Sequence, residues 1–171
     1  MPAFTRRDVS LFYRDHQPVH ASGDAPIVLI HGLLVNSLVW EPIRPFLDHR
    51  RVLVPDLRGH GRSHPDTPNT LSHNVDDIAA LIRSRKLRPA TIVGSSIGGI
   101  IATELAHRYP DVVDSVITIG SFGHLTVIDP AFAEAMTALV SGLRSEVAST
   151  AAAAVPTWFG PLTSSPAFDW A

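Results

Sequence analysis

The strongest chemical signal in the sequence is Gly94-Ser95-Ser96-Ile97-Gly98. It matches Gly-x-Ser-x-Gly, a pattern in which a serine hydroxyl rides a sharp strand-to-helix turn and attacks acyl groups. Strand and helix pass so closely at such a turn that side chains two residues either side of the serine would collide. Gly94 and Gly98 remove that bulk, and Gly99 gives further clearance. A glycine-rich turn with an incidental serine is the plainer alternative, and the pattern alone leaves it open.

The surrounding residues supply the elements the pattern needs. Thr91-Ile92-Val93 is an apolar, β-branched run that reads as a buried strand, and residues from Ile97 to Tyr109 read as a helix. That helix carries Ile97, Ile101 and Leu105 on one face and is stopped by Pro110. Strand-like runs recur at Ile27 to Ile30, Val52 to Val54 and Val113 to Ile119, and Val75, Ile78, Ala79, Leu81 and Ile82 make the stripe of another helix. Alternation of this kind predicts an α/β fold whose mostly parallel sheet is flanked by helices on both faces. Phe4 to Asp15 reads as a pair of short edge strands, Ala131 to Val155 as alanine-rich helix, and no further buried strand follows.

Two more segments stand at the ends of predicted strands. After Ile27 to Ile30 comes His31-Gly32-Leu33-Leu34, with Trp40 beyond it; after Val52 to Val54 comes Asp56-Leu57-Arg58-Gly59-His60-Gly61-Arg62-Ser63. The first resembles the HG-containing oxyanion loop, and the second the D-x-R-G-x-G-x-S loop, of the α/β-hydrolase family. With the serine motif they stand in that family's order, and the resemblance covers residues 4 to about 125.

The resemblance, to the serine branch of esterases, lactonases and haloperoxidases, implies the following roles. Ser96 is the nucleophile, and the backbone N–H groups of Leu33 and Ile97 form the oxyanion hole. Leu34 and Phe122 contact the substrate, a small apolar ester, lactone or amide that passes through an acyl-Ser96 intermediate without a cofactor. His31 shapes its loop and is not the general base, and Asp56 organises its loop by accepting backbone hydrogen bonds. Serine at the turn argues against the dehalogenases and epoxide hydrolases that resemble this family in fold but use aspartate there.

The family order of serine, then Asp or Glu, then His runs out after its first member. Residues 1–125 are expected to be the N-terminal part of the hydrolase core and 126–171 the start of an incomplete helical cap, with the chain truncated after about the sixth strand. His124 and Asp129 are the only nearby substitutes for base and acid, and they are expected to lie on the loop entering the cap. The alternative function is a catalytically incomplete fragment, or a binding module that keeps the crevice. The apolar edge of the sixth strand would then invite self-association.

Composition narrows the remaining classes. A net charge of −2 and a pI near 6.5 give no positive field for nucleic acid or an anionic membrane. The one basic run, Arg83, Arg85, Lys86 and Arg88, falls at a predicted helix end and reads as a solvated terminus. Zero cysteines exclude disulfides and thiol chemistry. The pairs His16 with His20 and His60 with His64 do not share a helix face, since proline or glycine interrupts each, so no metal site is expected. Neither nucleotide-binding glycine motif occurs. No leader-like or membrane-spanning apolar run is visible, which makes a cytoplasmic protein the default expectation.

Overall fold

A computed structural model describes residues 3–6, 9–18, 20, 23–64, 69–87, 89–121, 134–135, 137–138, 141–142, 145–146 and 149. Phe122, His124 and Asp129 lie outside the described residues. The chain divides into two units, Met1–Gly123 and His124–Ala171. Most described positions of the second are helical and exposed, in keeping with the helix propensity of its alanines.

The first unit is built on six strands, β1 (Ala3–Arg6), β2 (Val9–His16), β3 (Ile27–Ile30), β4 (Val52–Pro55), β5 (Ala90–Ser95) and β6 (Val113–Ile119). Their order across the sheet is β1-β2-β4-β3-β5-β6. β4, β3, β5 and β6 run parallel, while β1 and β2 join antiparallel, so the sheet is mixed but mostly parallel. Every residue of β3 and β4 is buried, as continuous apolar runs require when both faces are covered. β2 departs from the expected pair of edge strands. It pairs with β1 on one side and β4 on the other, and Leu11, Phe12 and Tyr13 are all buried, because both of its faces are packed.

Helices α1 (Leu71–Ser84) and α2 (Ile97–Arg108) lie on the same face of the sheet. There Val75, Ile78, Leu81, Ile82, Ile101 and Leu105 pack on Val28, Ile30, Leu53 and Ile92. The opposite face, with Ile27, Leu29, Val52 and Val54, is covered by Val39, Trp40 and Leu47. These come from two short 3-10 turns, Ser37–Trp40 and Arg44–Leu47, so among the described residues the second face carries turns where helix was expected. Pro42 and Pro45 account for this, since each lacks the N–H that an α-helix would use. Handedness decides which face each connection takes. The step from β3 to β4 moves one way across the sheet and the steps from β4 to β5 and β5 to β6 move the other, so right-handed crossovers land on opposite sides.

Thr70 caps α1 by accepting the amide of His73 at 3.2 Å. At its other end the basic run is only partly solvated: Arg83 forms a double hydrogen bond with Asp111, and Arg85 donates to the Tyr13 hydroxyl at 2.7 Å. Beyond β5 the cover on the second face thins. Leu29, Val93 and Ile117 stand in one row across β3, β5 and β6, and exposure rises from 1% at Leu29 to 51% at Ile117. Among the described residues no helix is long and apolar enough to cross a membrane.

Candidate active site

Ser96 occupies a sharp bend between β5 and α2, with φ 53° and ψ −121°. Positive φ is costly for a residue with a side chain, on the order of 1–3 kcal/mol, and persists only where neighbours enforce it. Here the Ser96 amide donates to the Ile119 carbonyl at 3.0 Å, and the Ser96 carbonyl accepts the Gly99 amide at 2.9 Å. The serine stands at the N-cap position yet makes no side-chain capping bond, and it is exposed, so its hydroxyl is free for chemistry.

The glycines around it serve close approach. A Cβ on Gly94 would collide with the carbonyl of Gly98, and one on Gly98 would lie 2.7 Å from the carbonyl oxygen of His31. Strand β5, helix α2 and the end of β3 therefore meet backbone to backbone. Ile30 is paired with Gly94 in the parallel ladder, so the segments that follow, His31-Gly32 and Ser95-Ser96, emerge side by side. The Cβ position of Gly32 is 3.3 Å from Ser96 Cβ and 4.0 Å from Ser96 Oγ. Any side chain at position 32 would crowd the hydroxyl.

His31 is wholly buried and both ring nitrogens are committed. Nε2 accepts the Leu57 amide at 2.9 Å, which leaves the proton on Nδ1, 2.7 Å from the Gly32 carbonyl. Burial, with the His60 imidazole beside it, pushes the His31 pKa down to about 3. The ring centroids of His31 and His60 are 5.2 Å apart. His60 is lowered as well, chiefly by burial. A neutral imidazole with no free nitrogen is a strut between two loops.

Asp56 is the second tie between those loops. Its carboxylate accepts the Ser37 amide at 2.7 Å and the Arg62 amide at 3.0 Å. Gly61 has φ 53°, and a Cβ there would run into the Asp56 carboxylate. The Ser63 hydroxyl donates to the Asp56 carbonyl at 2.7 Å and accepts the Phe12 amide at 3.0 Å, anchoring the loop to β2.

Leu33 and Ile97, the two residues expected to offer oxyanion amides, are half-buried and border the bend. Ile97 is the first residue of α2, and the leading amides of a helix have no intrahelical acceptor and sit at the positive end of its dipole. Leu34, expected to touch substrate, is only 5% exposed and has φ 60°, so little of its side chain is available to a ligand. Phe122, the other expected contact, and His124 and Asp129 fall outside the described residues. What sequence reading missed is the ion pair of Arg58 with Asp77, whose side chains are 0% and 1% exposed. The available signal was an aspartate lying inside the apolar stripe of α1.

Comparison with known proteins decides the family. The model of the alpha/beta hydrolase fold matches residues 25–167, more than half of the sequence. The chain belongs to the α/β-hydrolase fold family.

Its relatives include a lipase, LipV, of Mycobacterium tuberculosis, 36% identical over 98 residues that make up 57% of this chain and 38% of that protein. A pimeloyl-[acyl-carrier protein] methyl ester esterase of Sodalis glossinidius is 37% identical over 114 residues, 66% of this chain and 41% of the esterase. The enol-lactonase of Burkholderia xenovorans superposes with a TM-score of 0.79 at 30% identity, covering 94% of this chain and 60% of the lactonase. This hydrolase-family chain thus spans about two fifths of the length of these curated relatives.

Proposed function

We propose that Ser96 is the nucleophile of a serine hydrolase acting on a small, largely apolar ester, lactone or amide. The observation that carries this is the strained, uncapped and exposed serine at the meeting point of β5, α2 and the His31-Gly32 loop. In the proposed reaction Ser96 Oγ bonds to the substrate's carbonyl carbon and passes its proton to a base. The carbonyl electron pair moves onto oxygen, where the amides of Leu33 and Ile97 stabilise it. One such donor is worth about 2.7–4 kcal/mol. The electron pair then returns, the alcohol or amine leaves with the proton, and water releases the acid from acyl-Ser96.

The functions of two relatives, a methyl ester esterase and an enol-lactonase, support oxygen esters as the substrate class. A second reading is favoured by one specific observation: both nitrogens of His31 are occupied, so the imidazole next to Ser96 is no base. In that reading the 171 residues alone are catalytically incomplete or keep the crevice only for binding, with base and acid supplied from outside the described residues. Residues 126–171 are proposed as the beginning of the cap, and the exposed Ile117 and Ile119 of β6 as a surface for self-association.

A fluorophosphonate probe tests both readings. Slow labelling that Ser96→Ala abolishes supports Ser96 as nucleophile without its base, since oxyanion and binding contributions alone leave about 10³–10⁴ over water. Labelling that survives Ser96→Ala overturns the nucleophile assignment. Rapid Ser96-dependent labelling overturns the claim that the 171 residues lack a base.

A further inference from the structure

The loop Asp56 to Ser63 contains a buried charge pair that the proposed chemistry leaves unused. Arg58 Nε and Nη2 stand 3.0 and 2.9 Å from one oxygen of Asp77, and Arg6 reaches the other at 3.0 Å. Burying such a pair costs desolvation, and apolar residues of similar volume would often serve stability as well or better. What a charge pair has and an apolar pair lacks is direction. The backbone at Arg58 is fixed further: its carbonyl accepts from Asn69 Nδ2 at 2.9 Å and from His60 Nδ1 at 3.0 Å. Asn69 is in turn held by Asn74 of α1 at 2.7 Å.

One residue earlier, the Leu57 amide donates to His31 Nε2, His31 reaches the Gly32 carbonyl, and Gly32 lies against Ser96. The contacts form an unbroken path from helix α1 to the serine. We propose that Arg58 and Asp77 are positioning residues of the Ser96 site, clamping the Leu57 amide onto His31 and thereby fixing the loop that begins at Gly32. The site meaning of this rests on the acyl-transfer reading; the clamp itself does not.

Hydrogen exchange at the Leu57 amide reads the clamp directly. Asp77→Asn leaves Arg58 buried without its counter-charge and can unfold the chain, so the informative variant is the double substitution Arg58→Met with Asp77→Leu, which restores apolar packing. In that variant exchange at Leu57 is expected to rise about tenfold or more while Ile92, in the centre of β5, keeps its protection. Unchanged exchange at Leu57 in the folded double variant overturns the proposal, as does a rise shared equally by Ile92. If the double variant does not fold, Arg58→Lys, which keeps charge but loses the fork, gives the same comparison. Fluorophosphonate labelling of the parent chain separates the two claims: its absence counts against the hydrolase reading and leaves the outcome of the exchange measurement untouched.

Discussion

Acid should weaken this protein in a window set by His31. The folded-state pKa of His31 is about 3 against an ordinary 6.5, because burial and the neighbouring His60 ring disfavour the imidazolium. Protonation would also put a second N–H where Nε2 now accepts the Leu57 amide. Above pH 6.5 both folded and unfolded states hold the ring neutral, and its contribution to stability is complete. As pH falls below 6.5 the unfolded chain takes up a proton that the folded chain refuses, so stability declines by up to about 1.4 kcal/mol per pH unit until about pH 3. Between pH 7 and 5 the loss from this one residue is about 2 kcal/mol, and the ceiling over the whole window is about 5 kcal/mol. His60, lowered in the same direction, adds to the slope. Urea unfolding followed by fluorescence, with buried Trp40 as a core reporter, measures this at pH 7 and 5. His31→Gln keeps an acceptor for Leu57 but cannot titrate. It should be less stable at pH 7 by about 1–3 kcal/mol, yet lose about 2 kcal/mol less than the parent between pH 7 and 5. Equal losses in parent and variant, within about 0.5 kcal/mol, would refute the reasoning, since carboxylates common to both cancel in the comparison.

Other substitutions follow from the same contacts. Gly61→Ala pushes a methyl group into the Asp56 carboxylate at positive φ, whereas Gly23→Ala, also at positive φ, meets open space. The first should cost at least about 1 kcal/mol more than the second in denaturant unfolding, and equal costs would show that the Asp56 tie is slack. Leu105→Ala removes a fully buried contact of α2 and should cost about 2–5 kcal/mol by the same assay. Thr70→Ala should cost about 1 kcal/mol through loss of the α1 cap, and no loss would mean that the His73 amide finds water equally well.

How much of this was legible in the sequence depends on the range of each interaction. β3, β4 and β5 could be read from short apolar runs because both faces are buried, and burial of both faces leaves no polar alternation to confuse the reading. The turn at Ser96 was legible because the glycines that permit it sit within two residues. The place of β2 was not, because a strand's neighbours are chosen by the whole sheet. Nor was the reach of Arg85 to Tyr13, 72 residues away, or of Arg58 to Asp77. Hydrophobic periodicity skips charged residues by construction, so an aspartate inside the stripe of α1 reads as a solvated defect until the fold supplies its arginines. The 3-10 turns that replaced helix on the second face were foreshadowed by Pro42 and Pro45, whose missing amides the alternation of strand and helix does not register.

The position of the site follows from one feature of topology that no single motif contains. β3 and β5 are adjacent, yet the chain leaves β3 toward β4 on one side and leaves β5 toward β6 on the other. Departing segments therefore diverge above these two strands, and a crevice opens between them at their carboxyl ends, as in other open parallel sheets. Only there can a residue after β3 and a residue after β5 face each other with no crossover between. His31-Gly32 and Ser95-Ser96 occupy those two places. The same divergence explains why Asp56, His31 and Arg58 are needed: a loop beside a gap has no helix to lean on, and its shape must come from side chains that accept its amides or anchor its backbone. A glycine at 32 with a rigid buried strut beneath it is what that situation demands, since any larger residue would close the gap over Ser96.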